Sequence, residues 1–225
     1  MAATRQPTDS RGTNGALIAD RAYVALRDRI VTLRLPPGTA LREERLMDEL
    51  GLGRTPLREA VKRLALEGLV DVRPRSGTYV TDVEAHDIVH ISEVRAELEA
   101  QAARLAAKRM DDEGRARAAG LDAELTAIDG ADSFDAYMNL DERVHRFVWE
   151  AARNPYLADV LERFWAHSLR IWHLVLERVP ALPAAVHEQR ALLDAVSAGD
   201  ARRAGARMRE HVQAFEAEIL EAFNR

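Results

Sequence analysis

Apolar residues recur at helical spacing through most of this chain and at strand spacing in one short stretch. From Ala16 to Leu33, the residues Ala22, Leu26 and Ile30 share one side, which predicts a first helix. Leu35-Pro36-Pro37-Gly38 ends it. Glu43 to Leu50 reads as a short second helix with Leu46 and Leu50 inward and Gly51 placed to close it. Leu57, Ala60, Val61 and Leu64 form the stripe of a third helix over Pro56–Glu67, stopped by Gly68. Thr55 suits the N-cap of that helix, and Pro56 its first position, where no N–H is needed. Two short alternating runs follow, Leu69–Arg73 and Thr78–Thr81, joined by Pro74-Arg75-Ser76-Gly77, and they predict a β-hairpin. Three helices and a hairpin make a winged helix-turn-helix.

After Val83 the strand signals vanish. Six helices are expected, over about 86–109, 111–127, 132–152, 155–178, 183–197 and 200–223, with Asn154-Pro155, Pro180, Pro183 and Gly199-Asp200 as punctuation. The predicted fold is therefore mainly α. A disordered lead-in covers 1–15, a winged helix-turn-helix covers 16–82, and an all-α helical bundle covers 83–225, with the break near Thr81–Ala85. The rear part, roughly 140 residues, is large enough for its own core.

Composition narrows the class. The 225 residues are 47% hydrophobic and 31% charged, an ordinary globular balance. No apolar run nears the roughly 18 residues of a membrane span, and the polar start lacks the apolar core of a secretory signal. There is no cysteine, which excludes disulfides, thiolate-bound zinc and thiol catalysis and agrees with a cytoplasmic protein. The net charge of −5 is unevenly spread. Residues 1–83 hold 14 Lys/Arg against 11 Asp/Glu (+3), and residues 84–225 hold 18 against 26 (−8). Two parts with different partners are expected.

The third helix shows what the front partner is. Arg54, Arg58 and Lys62 repeat every fourth residue on another side of the helix. A short cationic helix held by its apolar side suits an anionic groove, and the major groove of double-stranded DNA is the first candidate.

The rear part carries its own chemistry. Asp141 and His145 are four residues apart on a helix face that is otherwise apolar, with Tyr137, Val144, Val148 and Ala152. His211 lies in the same way among Met208, Val212 and Phe215. Buried polar groups need partners. An Asp/His/His set suits a divalent ion such as Zn²⁺, Ni²⁺ or Mn²⁺, and a buried structural Asp141–His145 pair is the alternative. Arg95 falls on the stripe Ile88, Ile91, Leu98, Ala102, Leu105. It either clamps the carboxylate of a small organic acid or pairs with Glu99 or Glu97. His90, His167 and His173 read as ordinary helix residues, and Trp149, Trp165 and Trp172 as core. Asp and two His could activate a water in a metal-dependent enzyme, but no general base and no substrate-phosphate loop accompany them, so no enzyme is expected.

The front half resembles the GntR family of bacterial transcription regulators. The likeness runs from Leu35-Pro36-Pro37-Gly38, through Arg54-Thr55-Pro56-Leu57-Arg58-Glu59-Ala60, to Glu67-Gly68-Leu69-Val70 and Arg75-Ser76-Gly77-Thr78-Tyr79-Val80. The rear half resembles the FCD effector domain of the FadR branch. It does so at Glu93-Val94-Arg95, at Asp141 with His145, at Asn154, and over Arg190 to Val196. Six helices place it nearer the VanR-like subgroup.

The resemblance implies a dimeric repressor on a palindromic operator, with Arg54 and Arg58 reading guanines and Thr55 and Lys62 meeting phosphates. Arg75 and Gly77 would bring the wing to the neighbouring groove. Gly53 departs from the family's usual Ser, so a phosphate contact is weakened there. The family's rear site usually has one Asp and three His. Asp141, His145 and His211 supply three of these, and Gln189 stands where the third His is expected. His187 should point away. Gln189 is a poor zinc ligand. Either the metal is held more weakly, or the site works without metal and Gln189 bonds the effector directly, together with Arg95, Asp141, His145 and His211; a regulator with an empty or vestigial pocket is the third alternative.

Overall fold

The computed structural model describes residues 10–128, 134–175 and 183–223, in two compact units, Met1–Val83 and Glu84–Arg225. The first unit begins with α1 (Ser10–Val31), then α2 (Glu43–Leu50), α3 (Arg54–Leu66), and the strands β1 (Val70–Arg73) and β2 (Gly77–Val80). α1 starts at Ser10, six residues before the expected Ala16, so part of the expected disordered lead-in is helical. The rest of that lead-in lies outside the described residues. Ala22, Leu26 and Ile30 are fully buried where α1 packs on α3. On that contact the Arg63 guanidinium lies 3.6 Å from the centre of the Tyr23 ring, and the Tyr23 hydroxyl donates to Glu67 at 2.9 Å.

α2 ends on Gly51, whose φ of 62° is the left-handed conformation that glycine tolerates best. The hairpin pairs Val70 with Val80 and Arg73 with Gly77. Ala40 bridges to Tyr79 beside it, with Leu41 N–H on Thr78 O and Val80 N–H on Thr39 O. The segment after the prolines thus lends the wing a third pairing partner. Local pattern did not reveal it, because the pairing is long-range.

The second unit contains, among the described residues, six helices: α4 (Ala85–Arg109), α5 (Asp112–Ala127), α6 (Phe134–Ala151), α7 (Pro155–Val175), α8 (Pro183–Ser197) and α9 (Ala201–Phe223). The fold is mainly α, as its periodicity indicates. Glu84 and Asp87 form a capping box that starts α4. α4 is the central helix and packs most extensively on α9. Alanines make that contact close: Ala96, Ala100, Ala102, Ala103 and Ala106 are buried on α4, facing a bundle that includes Gly205 and Met208 of α9. Trp149, Trp165 and Trp172 are core residues, as expected.

Candidate functional site

The expected helix start at Thr55 is corrected by the structure. Gly53 is the N-cap of α3, in extended conformation, and its carbonyl accepts the Leu57 N–H at 3.3 Å. Thr55 is already helical, and Pro56 is the third residue of the helix. It is tolerated there because the first four N–H groups of a helix have no internal partner. Glycine offers no side chain to cap with, so no side-chain hydrogen bond closes this end.

α3 buries Leu57, Ala60 and Leu64 and exposes Arg54, Thr55, Arg58 and Lys62. Glu43, the first residue of α2, faces these cations. Arg58 Nε lies 2.9 Å and 3.2 Å from its two carboxylate oxygens, and Arg54 Nε lies 4.0 Å from one of them. The Arg58 guanidinium is pushed above its ordinary range by that hydrogen bond and charge. Both contacts use Nε, so the two terminal nitrogens stay available to a base edge. Sequence reading passed over Glu43, because its partners are 11 and 15 positions away. Lys62 pairs with Glu59 at 2.8 Å on its own helix. At the hairpin tip Arg75 and Gly77 are exposed with positive φ of 65° and 117°. Among the described residues no side-chain partner holds Arg75. The wing thus presents one cation on a tight turn.

In the second unit, three helices bring the polar residues together. Asp141 and His145 come from α6, Gln189 from α8 and His211 from α9. All four are at least 98% buried. Asp141, His145 and His211 each offer a ligand atom within 4.8 Å of the others. Asp141 Oδ1 is the focus. His211 Nε2 lies 3.2 Å from it and His145 Nε2 3.9 Å, and the Gln189 amide donates to it. Tyr137 Oη is 3.5 Å away. His187 is exposed, as its position predicts.

Each histidine is backed by a second carboxylate. His145 Nδ1 lies 3.1 Å from Glu99 Oε1, and His211 Nδ1 lies 3.1 Å from Glu188 Oε2. Glu188 hydrogen-bonds His211 Nδ1 and so fixes that imidazole with Nε2 toward the centre, the outer-shell pattern of metal-binding histidines, whereas Glu99 lies close to His145 Nδ1 without hydrogen-bond geometry. Burial pushes the Glu99 carboxyl up, but His145, Arg95 and the Trp149 indole outweigh it and hold it at about 2. Burial lowers His211, but hydrogen bonds and charges from Asp141 and Glu188 raise it to about 9. The Asp141 carboxyl, despite its burial, sits below its ordinary range because His145 and His211 flank it.

Arg95 resolves toward Glu99, not Glu97. Its Nη2 donates to Glu99 Oε1 at 2.9 Å and its Nη1 to Ser168 Oγ at 2.9 Å, while Glu97 pairs with Arg209. Glu99 therefore joins Arg95 to His145. It is also a carboxylate beside the cluster, which pattern reading had not identified. Its charge is fully engaged with Arg95 and Trp149, which suits it to holding its neighbours and not to accepting a proton. Its position four residues after Arg95 was the available signal. Nothing local linked it to His145 or Trp149, which lie 46 and 50 positions on.

The chain matches two family profiles. Residues 18–80 match "Bacterial regulatory proteins, gntR family" and residues 90–214 match "FCD domain". A relative from Paenarthrobacter nicotinovorans, described as "Probable D-xylose utilization operon transcriptional repressor", is 30% identical over 182 residues, 81% of this chain and 80% of that one. Among solved structures, E. coli McbR/YncC superposes with a TM-score of 0.80 at 22% identity over 92% of this chain and 99% of the other. The Zn²⁺-bound FCD domain of TM0439 covers 63% of this chain and 97% of its own, with a TM-score of 0.50 at 19% identity. At such identities the structural likeness is one of fold. With a winged helix over the first profile and a helical bundle over the second, this chain belongs to the GntR family of bacterial DNA-binding transcription regulators, FadR-like in carrying an FCD domain, and is not an enzyme.

Proposed function

We propose that this chain is a cytoplasmic, homodimeric repressor whose helical unit, of the VanR-like subgroup, binds a small organic acid beside a divalent metal ion. The observation that carries the metal is the pair of imidazoles that both direct Nε2 toward Asp141 Oδ1, with His211 held from behind by Glu188. Asp141, His145 and His211 would hold the ion, and this donor set fits Zn²⁺, Ni²⁺ or Mn²⁺. The Gln189 side-chain oxygen, buried with no partner among the described residues, suits an effector donor or the ion itself. When bound, the ion would supply a Lewis-acidic anchor for a carboxylate. Arg95, with its Nε unpartnered beside Ser168, adds positive charge at the same network. The zinc-bound TM0439 domain supports the reading by fold.

On the DNA side, Arg54 and Arg58 read base edges, with discrimination of about 1–3 kcal/mol for each good pairing. Thr55, Lys62, Arg75 and Gly77 meet the backbone and the neighbouring groove. Dimerisation follows from the need to read two half-sites, and repression is supported by the description of the Paenarthrobacter relative.

A second reading has its own observation: Asp141 Oδ1 already receives the Gln189 amide and faces His211. The site would then bind its acid without metal, through Gln189. Titration of the purified chain with Zn²⁺, Ni²⁺ and Mn²⁺ separates the two. One ion per chain, lost in His145→Ala and in His211→Ala, supports the first reading. No uptake by the unaltered chain removes it. Retained binding to a selected duplex by the Arg54→Ala, Arg58→Ala double variant would remove the recognition-helix assignment.

A further inference from the structure

A second pair of imidazoles lies on the surface of the helical unit, near the start of α4. His86 and His90 are four residues apart, so they sit one above the other on one side of the helix. Both are exposed, while Ile88 between them in the chain is buried. Their ring centres are 5.4 Å apart, with the planes tilted by 57°. Carboxylates flank the pair. Glu84 Oε2 lies 3.3 Å from His86 Nδ1, and Asp87 Oδ1 lies 3.5 Å from His86 Nε2. Residues 84–94 hold three carboxylates, Glu84, Asp87 and Glu93, and no Lys or Arg.

That spacing suits one shared ion. Two imidazole nitrogens, each about 2 Å from a tetrahedral ion, put their ring centres roughly 5 Å apart. The observed pair therefore needs only side-chain rotation on a helix already formed, and a preorganised site binds more tightly than one that must be ordered. A helix start alone opposes a cation, because its dipole is positive there. Glu84 and Asp87 reverse that field. The capping box uses Asp87 Oδ2, which accepts the Glu84 N–H at 2.8 Å, and so leaves Oδ1 toward His86. Whichever His86 nitrogen takes the ion, a carboxylate lies near the other and favours the cation by its charge. Hard ions such as Ca²⁺ and Mg²⁺ prefer oxygen donors throughout. Imidazoles suit Zn²⁺, Ni²⁺ and, most tightly, Cu²⁺. The remaining coordination positions face water.

We infer that His86 and His90 form a second divalent-metal site, open to solvent and selective for imidazole-seeking ions, Cu²⁺ above Ni²⁺ and Zn²⁺. The ion clips together the opening turns of α4, the helix that begins the second unit. The site is independent of the Asp141 centre, whose three donors come from α6 and α9, whereas this pair comes from α4 alone.

The test titrates the full chain, purified without a polyhistidine tag, with Cu²⁺ and with Zn²⁺ by calorimetry. Both histidines are exposed and glutamine is a good helix former, so the His86→Gln, His90→Gln variant keeps the fold, which its metal-free unfolding midpoint checks. That variant should bind one ion fewer per chain than the unaltered protein. His90→Gln alone should weaken the same ion by more than about tenfold, the scale at which even outer-shell partners of a metal matter. His145→Ala, at the other centre, should keep this ion, and so should His187→Gln, at another exposed histidine. An unchanged ion count in the paired variant overturns the inference. So does an equal loss in His187→Gln, which would mean adventitious surface binding. A single ion kept by the paired variant and lost in His145→Ala would leave the Asp141 centre alone as the metal site. Failure of the Asp141 reading looks different: His145→Ala would then change no ion count, and the paired variant would still lose one.

Discussion

Gly53 is the position where helix capping and the proposed phosphate contact meet. It caps α3 with backbone alone, and a side chain added there meets nothing closer than Pro56 Cδ at 3.8 Å, with no positive φ to forbid it. Gly53→Ser should therefore stabilise the first unit by roughly a few tenths of a kcal/mol and tighten binding to DNA, as read by chemical denaturation and duplex titration. Weaker DNA binding by this variant would contradict the phosphate contact expected there. Glu43 is the converse case, a negative charge on a surface built for an anion. Its two contacts to Arg58 Nε orient the guanidinium and leave the terminal nitrogens forward. Glu43→Ala should cost part of the roughly 1–3 kcal/mol of base discrimination while leaving scrambled-duplex affinity equal or higher. Equal discrimination by the variant would leave Glu43 no positioning role. In the helical unit, Gln189→His restores an imidazole donor beside Asp141. Zinc should then bind more than about tenfold tighter, since even outer-shell partners are worth that much; calorimetry showing no gain would mean that the new ring turns away.

Among the helices, two glycines separate propensity from packing. Gly120 on α5 is exposed, and a Cβ there would meet nothing within 4 Å. Gly120→Ala should stabilise the second unit by about 0.5–1 kcal/mol, the ordinary helix preference. Gly205 on α9 is buried against α4, where a Cβ would come within 2.7 Å of Arg104 Cγ and 3.2 Å of Ala100 O. Gly205→Val should cost about 1–3 kcal/mol by overpacking. Denaturant unfolding of both variants checks the pair, and equal effects would mean that the α4–α9 contact is looser than these distances imply. The same close packing brings His211 of α9 within 3.1 Å of Glu188 of α8 and 3.2 Å of Asp141 of α6.

For the whole molecule, ligand control requires a free-energy coupling between the units. Any acid that weakens operator binding by a given factor must itself bind the operator complex more weakly by the same factor. Paired titrations, of acid into free protein and into the protein–duplex complex, should give matching factors. Unequal factors at equilibrium would show that more than one site or state is involved. A metal at the Asp141 centre, if bound as proposed, would add stability in the same currency, about 2.7 kcal/mol at one hundred times its dissociation constant. A midpoint unmoved by saturating Zn²⁺ would argue for the metal-free site.

The helices, the hairpin and the outward cations of α3 were legible in the chain, because each depends on spacing within a few residues. So was the oddity of Asp141, His145, Arg95 and His211, as polar residues on apolar stripes. The start of α3 was misplaced by two residues, because Thr55-Pro56 satisfies a local preference that the preceding Gly51–Gly53 turn overrides. Partners far apart in the chain were out of reach of any local pattern: Glu43 for Arg58, Glu99 for His145, Glu188 for His211, Ala40 for Tyr79. Burial is what selects these pairs, since a charge or a backbone amide taken from water must find whatever complement the packing of other elements brings near it. Periodicity thus specified which residues face inward, and the meeting of α4, α6, α8 and α9 specified what they face.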